Sequence, residues 1–398
     1  MRALFAVPLG ADFWKLWASS AVSNLGDGVT MVAGPLLVAS ISPDPAAVAG
    51  AAFAQQLPWL LFALISGAWA DRLDRRRLVV AVNVVRGGAL GVLALAVAAG
   101  SAGVPLILIV CFVLGTGETL ADTASAAFVP ALVPPVSRPR ANSLLYANFN
   151  LINQFAAKPL GAWLFVVAAS LPFGLNAATF GVSALLVASL RPLPATGRSG
   201  RLRSEISFGV RFLFAHRLLR TLAVTMAVAN LVFCAAFAVF VLYATQRLGL
   251  SDIGYGVLLL AFAVGGFLGT LVASRLLQAV GASRLLRLGL LVEVALHTTL
   301  ALTTNPLVAA LMIVIFGIHT TVWGVVVTTI RQRDIPAELY GRVTSVYSLT
   351  DVAGAALGSL LGGLYATAFG LTATYAAAAV AMLLVASFAW RPLRVATV

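Results

Sequence analysis

Several ionisable side chains lie inside long apolar runs of this chain, where a charge has few reasons to be. They are Asp27, Arg86, Glu118, Asp122, Lys158, Glu293, His297, His319 and Asp351. An ionisable group at the centre of a hydrocarbon layer costs about 2.5–3.5 kcal/mol on insertion scales, so each calls for a partner or a task. Asp27 stands about 14 residues into the first run, about 20 Å at 1.5 Å per residue, and so past the midplane of a bilayer. A carboxylate there can take a proton on one side and give it up when a cation or water arrives. It can equally be a packing group, since Gly26 and Gly28 flank it. Glu118 and Asp122 are four residues apart and share a helical face. Arg86 lies about ten residues into its run, too deep for easy snorkelling, and is expected to pair with Glu118 or Asp27. His319 could carry a proton, imidazole being the side chain suited to proton transfer near neutral pH, or is simply hydrogen-bonded to a neighbour. Glu293 and His297 are also four apart, and the expectation is a structural pair. Lys158 and Asp351 could neutralise counterparts or bind a ligand. Asn24, Asn148, Asn150, Gln154 and Trp323 could offer polar and aromatic contacts to an amphiphilic ligand, or act as glue between helices.

The elements that must hold these groups follow from composition. Hydrophobic residues make up 61% of the 398 and charged residues 10%, with a mean hydropathy of +1.01. Apolar stretches at roughly 13–41, 46–70, 78–99, 104–128, 141–169, 173–190, 218–246, 253–274, 285–302, 306–330, 343–368 and 371–390 are each about long enough to span a bilayer. The expected fold is an all-α membrane protein of twelve transmembrane helices; a membrane β-barrel would not show such unbroken runs. The net charge of +13 sits almost wholly in alternate loops: Arg72 to Arg77, Arg138 and Arg140, Arg191 to Arg217, Arg275 to Arg287, Arg331 and Arg333, Arg391 and Arg394. The opposite loops hold only Arg247. That asymmetry places both termini in the cytoplasm and argues against nucleic acid as the partner. Only two of the 26 basic residues are Lys, a bias of GC-rich bacterial genes, so the expected location is a bacterial cytoplasmic membrane. The first run is too long for a signal peptide and is expected to be part of the mature protein.

The chain repeats itself. Gly115, Pro134, Arg140, Ser143 and Gly161 recur at one constant offset as Gly317, Pro336, Arg342, Ser345 and Gly363. Asn24-Leu25 recurs as Asn230-Leu231. Two parallel six-helix halves are expected, at 1–190 and 218–398, joined by a polar linker at 191–217. Within the linker, Ser204 can cap a short interfacial helix with Ile206, Val210, Leu213 and Phe214 on one side; the alternative is that this stretch begins the seventh helix. Gly354, Gly358 and Gly362, and Gly265 with Gly269, have the spacing that lets helices approach closely.

Several enzyme classes are excluded. Lys15 and Lys158 are followed by Leu16 and Pro159, so no phosphate-binding Gly-x-x-x-x-Gly-Lys-Ser/Thr loop exists. The three histidines are scattered, without zinc or haem spacing, and Cys111 and Cys234 form no Cys-x-x-Cys pair. No metal, cofactor or enzyme activity is expected.

Between the second and third runs lies Gly67-Ala-Trp-Ala-Asp71-Arg72-Leu-Asp74-Arg75-Arg76-Arg77. It resembles the signature loop Gly-x-x-x-Asp-Arg-x-Gly-Arg-Arg of major facilitator superfamily transporters, matching at Gly67, Asp71, Arg72, Arg75 and Arg76, with Asp74 in place of Gly. Val22 to Gly28 (VSNLGDG), Gly117 to Ala124 (GETLADTA) and RFLFAHRLLR look like the bacterial efflux branch that contains macrolide and enterobactin exporters. The resemblance implies helices one and ten beside a central cavity, helix nine at the periphery, and helix two sliding against helix eleven. It also implies a gating network in which Asp122 partners Arg75 beside Asp71. The antiporter motif Gly-Pro-x-x-Gly-Gly survives only at Gly161, with Lys158 where the first Pro is expected. The function expected from all this is proton-coupled efflux of hydrophobic or amphiphilic small molecules by alternating access, by a monomer whose partners are substrate, protons and lipid. An importer or uniporter of a nutrient, or a receptor on the same fold, are the alternatives.

Overall fold

The computed structural model describes residues 9–126, 128–192 and 210–395; the side chains of 63–72, 337, 338, 341, 342, 345 and 395 lie outside the description. Long helices follow the apolar runs: α1 (Ala11–Ile41), α2 (Pro45–Arg72), α3 (Arg75–Ala98) and α4 (Val104–Ser125). The fifth passage, α5, joins Arg138–Asn148, a π-helical Phe149–Ala156 and Ala157–Val167. Then come α6 (Leu171–Ala188), α7 (Arg217–Ala238), α8 (Asp252–Val280) and α9 (Ala282–Leu302). The chain ends with α10 (Pro306–Asp334), α11 (Ala337–Phe369) and α12 (Leu371–Ala389). Among the described residues, ten helices are long and apolar enough by themselves to cross a membrane; the other two passages are α2 and the interrupted α5. The described residues form no strand, as a hydrocarbon surround requires of a helical bundle.

Helix ends are set by local chemistry. Asp74, the residue that departs from the signature loop, caps α3: its Oδ1 accepts the Arg77 N–H at 3.2 Å. Asn305 does the same for α10, accepting from Leu307 N at 2.9 Å, with Pro306 at the first helical position. Gly281 and Gly370 have φ of +83° and +90°, which lets each start a helix immediately after the previous one ends. The expected seventh run, 218–246, is broken: α7 ends at Ala238, and Phe240–Leu242 and a π-helical Tyr243–Arg247 follow.

The chain forms two compact units, 1–42 with 54–199 and 252–257, and 43–53 with 200–251 and 258–398. In the first, α3 packs along α6 and α4, and α1 along α6 and α5. In the second, α7 packs along α11, and α9 along α12 and α10. Most of the expected linker, including Ser204 and Ile206, lies outside the described residues. Residues 210–215 are helical, but Val210 and Phe214 are exposed while Leu213 is buried against Leu218 and Leu219. The described part therefore has no single lipid-facing stripe.

Small residues carry the close helix contacts, in a way spacing alone did not reveal. Gly354, Gly358 and Gly362 of α11 face the backbone of α7, each set against the carbonyl of Ala227, Leu231 or Ala235 in turn. The contact with α2 is made by Gly363, which abuts Ala49 and the Pro45 carbonyl, and by Thr367, whose hydroxyl donates to Asp44 at 2.9 Å. A Cβ at Gly358 would overlap the Leu231 carbonyl, whereas one at Gly324 meets nothing within 4 Å. Gly358→Ala is therefore expected to lower stability by about 1–3 kcal/mol, as overpacking does. Thermal unfolding of the detergent-solubilised protein checks this, with Gly324→Ala expected to match wild type.

Candidate functional site

The first unit encloses a polar cavity of about 340 Å³ between α1, α3, α4, α5 and α6. Asn24, Asp27, Arg86, Glu118 and Asp122 all line it, so five residues singled out by chemistry converge in one place. Asp27 reaches it because its neighbours do the packing. A Cβ at Gly26 would strike Asn176 and Thr179 of α6, and one at Gly28 would come within 2.6 Å of the Ala157 Cβ on α5. The two glycines bring α1 hard against α6 and α5, and the carboxylate between them points inward. The packing role, an alternative for Asp27 on sequence grounds, falls to its flanking glycines.

Arg86 donates from Nη2 to Asp27 Oδ1 at 3.3 Å. Its guanidinium lies 4.1 Å from the centroid of the Phe180 ring, a cation–π contact that lowers the cost of burial. The stem fits because residue 117 is Gly: a Cβ there would stand 2.6 Å from Arg86 Cδ. Arg86 is only 8% exposed at its side chain, while Asp27 keeps 35% open towards the cavity. The rest of the wall is polar. Asn83 donates to Ser183 Oγ at 3.1 Å, and that hydroxyl also meets Ser19 Oγ at 2.7 Å. Three carboxylates and one guanidinium thus line one cavity, with Asp27 the carboxylate in contact with Arg86. Lys158 does not supply that charge. It is buried in α5 and donates to Gln154 Oε1 at 2.5 Å.

The other candidates lie elsewhere. His319 and Trp323 line a cavity of about 210 Å³ within the second unit, together with Asn230, Glu293 and three phenylalanines. Asn230, the repeat partner of Asn24, donates its side-chain amide to Asp351. The expected pair is present, with His297 Nε2 3.9 Å from the Glu293 carboxylate. Glu293 is in addition buried, lines the cavity and meets His319 Nε2 at 3.4 Å, a contact that spacing along one helix does not give. A signal did exist. One step of the repeat carries Gly117 to His319 and, one residue further, Arg86 to Gly289; a Cβ at Gly289 would overlap the His319 ring. The large polar side chain and the glycine that makes room for it have exchanged helices between the halves.

The gating candidates are only partly placed. Gly67, Asp71 and Arg72 end α2, and their side chains lie outside the described residues. Arg75 opens α3. Arg76 donates to the carbonyls of Ala188 at 3.3 Å and Leu190 at 2.8 Å, tying the start of α3 to the end of α6. Among the described residues, no cluster of His, Cys, Asp and Glu is arranged to hold a metal.

Truncating Arg86 leaves Asp27 facing surplus negative charge. Arg86→Met is expected to destabilise the protein towards the low end of the ~3–5 kcal/mol range for a broken buried pair, because Asp27 is partly open. Asp27→Asn in the same chain is expected to restore part of that loss. A double-mutant cycle on thermal stability checks it, and additive losses would contradict a pairwise link.

Comparison with known proteins agrees with this architecture. Residues 5–397 match the model of a family described as transmembrane secretion effector. The chain is 29% identical over 386 residues to the multidrug efflux pump Tap of Mycolicibacterium fortuitum, covering 92% of each chain. It is 26% identical over 308 residues to the enterobactin exporter EntS of Escherichia coli O1:K1 / APEC, covering 76% of this chain and 72% of that one. In fold it is similar to a bacterial homolog of the human lysosomal transporter Spinster, solved in an inward-facing, unoccupied conformation, with a TM-score of 0.76, 16% identity and 96% of both chains covered. The chain belongs to the transmembrane secretion effector family of major facilitator transporters, and is a transporter rather than an enzyme.

Proposed function

We propose that this transporter exports hydrophobic or amphiphilic small molecules from a bacterial cell across the cytoplasmic membrane in exchange for protons, by alternating access between two six-helix halves. The observation that carries the proposal is the single guanidinium of Arg86 held by Asp27 in a cavity that Glu118 and Asp122 also line. A proton arriving at Asp27 removes the charge that holds Arg86. The guanidinium then has Glu118 and Asp122 as alternative partners on the neighbouring helix. Each choice of partner favours a different arrangement of α1, α3 and α4, and that difference in stability is what couples proton binding to a change of access. The similarity to efflux pumps that export drugs and enterobactin supports the outward direction and the amphiphilic substrate class.

The signature loop gives the same network a gate. Asp71, Arg72 and Arg75 stand where the family places its charged latch, and Asp122 lies one turn from Glu118 at the cytoplasmic end of α4. On this reading Asp122 alternates between the Arg75 side and the Arg86 side, linking the proton site to the latch. The positive-inside pattern puts that latch and both termini in the cytoplasm.

Inverted membrane vesicles test the proposal. Drugs of several chemistries, lipophilic cations and macrolides among them, are expected to drive proton release from energised vesicles containing the wild type. Asp27→Asn is expected to abolish the response, and Glu118→Gln to reduce it at least tenfold. Release in the mutants equal to wild type would refute this coupling site, and silence for every compound in the wild type would favour uptake or a receptor role. Separately, Asp71→Asn and Asp122→Asn are expected to slow transport by an order of magnitude or more while leaving thermal stability near wild type. Wild-type rates in both would remove the gate from the account.

A further inference from the structure

The cavity of the second unit has a composition the proton cycle does not use. Repeat positions that carry Asp27 and Glu118 in the first half carry Phe233 and Thr320 in the second. Both line the second cavity. Its walls are therefore aromatic where the first cavity is charged. Phe233 stacks on Phe316 with centroids 5.4 Å apart, Phe262 lies 5.9 Å from Phe316, and His319 meets Trp323 edge-on at 5.7 Å.

One carboxylate remains among these rings. Glu293 is 7% exposed, its Oε1 takes His319 Nε2, and its Oε2 has no hydrogen-bond donor among the described residues. No Lys or Arg is among the described residues that line the cavity, in contrast to Arg86 in the first unit. Asp351 adds a second negative charge just behind Asn230. The indole N–H of Trp323 also lacks an acceptor. A buried carboxylate met by two imidazoles but by no lysine or arginine among the described lining residues, and ringed by π-faces, is open to a further cationic partner.

What would complete it is constrained by chemistry. A metal ion fits poorly: His297 and His319 approach opposite oxygens of Glu293, at 3.9 Å and 3.4 Å, and no metal-holding cluster forms among the described residues. An organic cation fits well, because its charge answers the carboxylate while its alkyl or aryl surface rests on the rings. Met226 and Met382 add soft, adaptable surface to the same wall. The cavity volume, about 210 Å³, is below the ~300–1,000 Å³ of pockets that enclose whole drug-sized ligands. It suits the charged head of such a molecule rather than all of it.

The geometry points to this cavity as a recognition site for the ammonium head of an organic cation, with Glu293 as the counter-charge and Phe233, Phe316 and Trp323 as the cage. The inference deepens the proposed export of amphiphiles and rests on it only for the direction of transport. Substrate selection and proton coupling would then fall to different halves of the repeat, with His319 positioning the Glu293 carboxylate.

Equilibrium dialysis of the purified full chain with radiolabelled phenyltrimethylammonium tests the site, with tert-butylbenzene as the neutral isostere. Saturable binding of the cation is expected in wild type and in Asp27→Asn. Glu293→Gln is expected to weaken it at least tenfold while leaving tert-butylbenzene binding unchanged. Glu293→Asp, which keeps the charge, is expected to recover part of the affinity. Should Glu293→Gln fail to elute as a folded protein, Phe233→Leu and Trp323→Leu carry the test, each expected to weaken the cation at least threefold. Equal cation binding in folded Glu293→Gln, or in both cage variants, overturns the proposal, as does binding that depends on Asp27 instead. The vesicle assay fails independently: proton release can be silent while cation binding still depends on Glu293.

Discussion

A guanidinium deep inside a bilayer needs a counter-charge, and much of the first unit is arranged around meeting that need. Arg86 is held by Asp27, cushioned by Phe180, and fitted into the space left by Gly117. The glycines flanking Asp27 press α1 against its neighbours so that the carboxylate faces the guanidinium. A buried pair of this kind contributes little net stability compared with apolar groups of the same size, since desolvation offsets most of the attraction. Under the proposed coupling its value lies in being switchable. Removing one charge strands the other, and Glu118 and Asp122 line the same cavity, where a stranded guanidinium would find new partners.

The internal repeat shows how one cavity can diverge into two. Small-residue contacts are retained: Gly115 abuts the Gln55 carbonyl on α2, and its counterpart Gly317 abuts Phe262 and Gly265 on α8. The chemistry inside is not retained. The bulky polar group comes from α3 in one half and from α10 in the other, and the facing glycine moves to the opposite helix. Backbone spacing depends on the sum of the two side chains and not on which helix supplies the larger one. The exchange therefore preserves packing while replacing Arg86 by His319 at the helix interface.

Much of the architecture was legible in the sequence because hydrocarbon leaves few options: long apolar runs must be helices, and charges mark their ends. The first cavity was also legible, since Asp27, Arg86, Glu118 and Asp122 are each too costly to bury idly. What escaped was whatever depends on helix rotation. The glycine stripe of α11 faces α7, while Gly363, one residue off that stripe, meets α2. Glu293 does pair with its i+4 neighbour His297, but spacing along one helix says nothing about His319 on the next. Arg76, matched to the signature loop, also caps the last turn of α6, a contact set by where that turn ends. Asp74 looked like a departure from a motif and proves to be the cap of α3.

In the proposed coupling, Asp27 trades its hold on Arg86 for a proton. The most direct test counts protons released by the purified protein in weakly buffered detergent when tetraphenylphosphonium, a lipophilic cation, is added, using a pH-indicator dye. Proton release that saturates with the ligand is expected in the wild type and not in Asp27→Asn, with ligand binding retained in both. Release of the same size in Asp27→Asn, or ligand binding without release in the wild type, would contradict it.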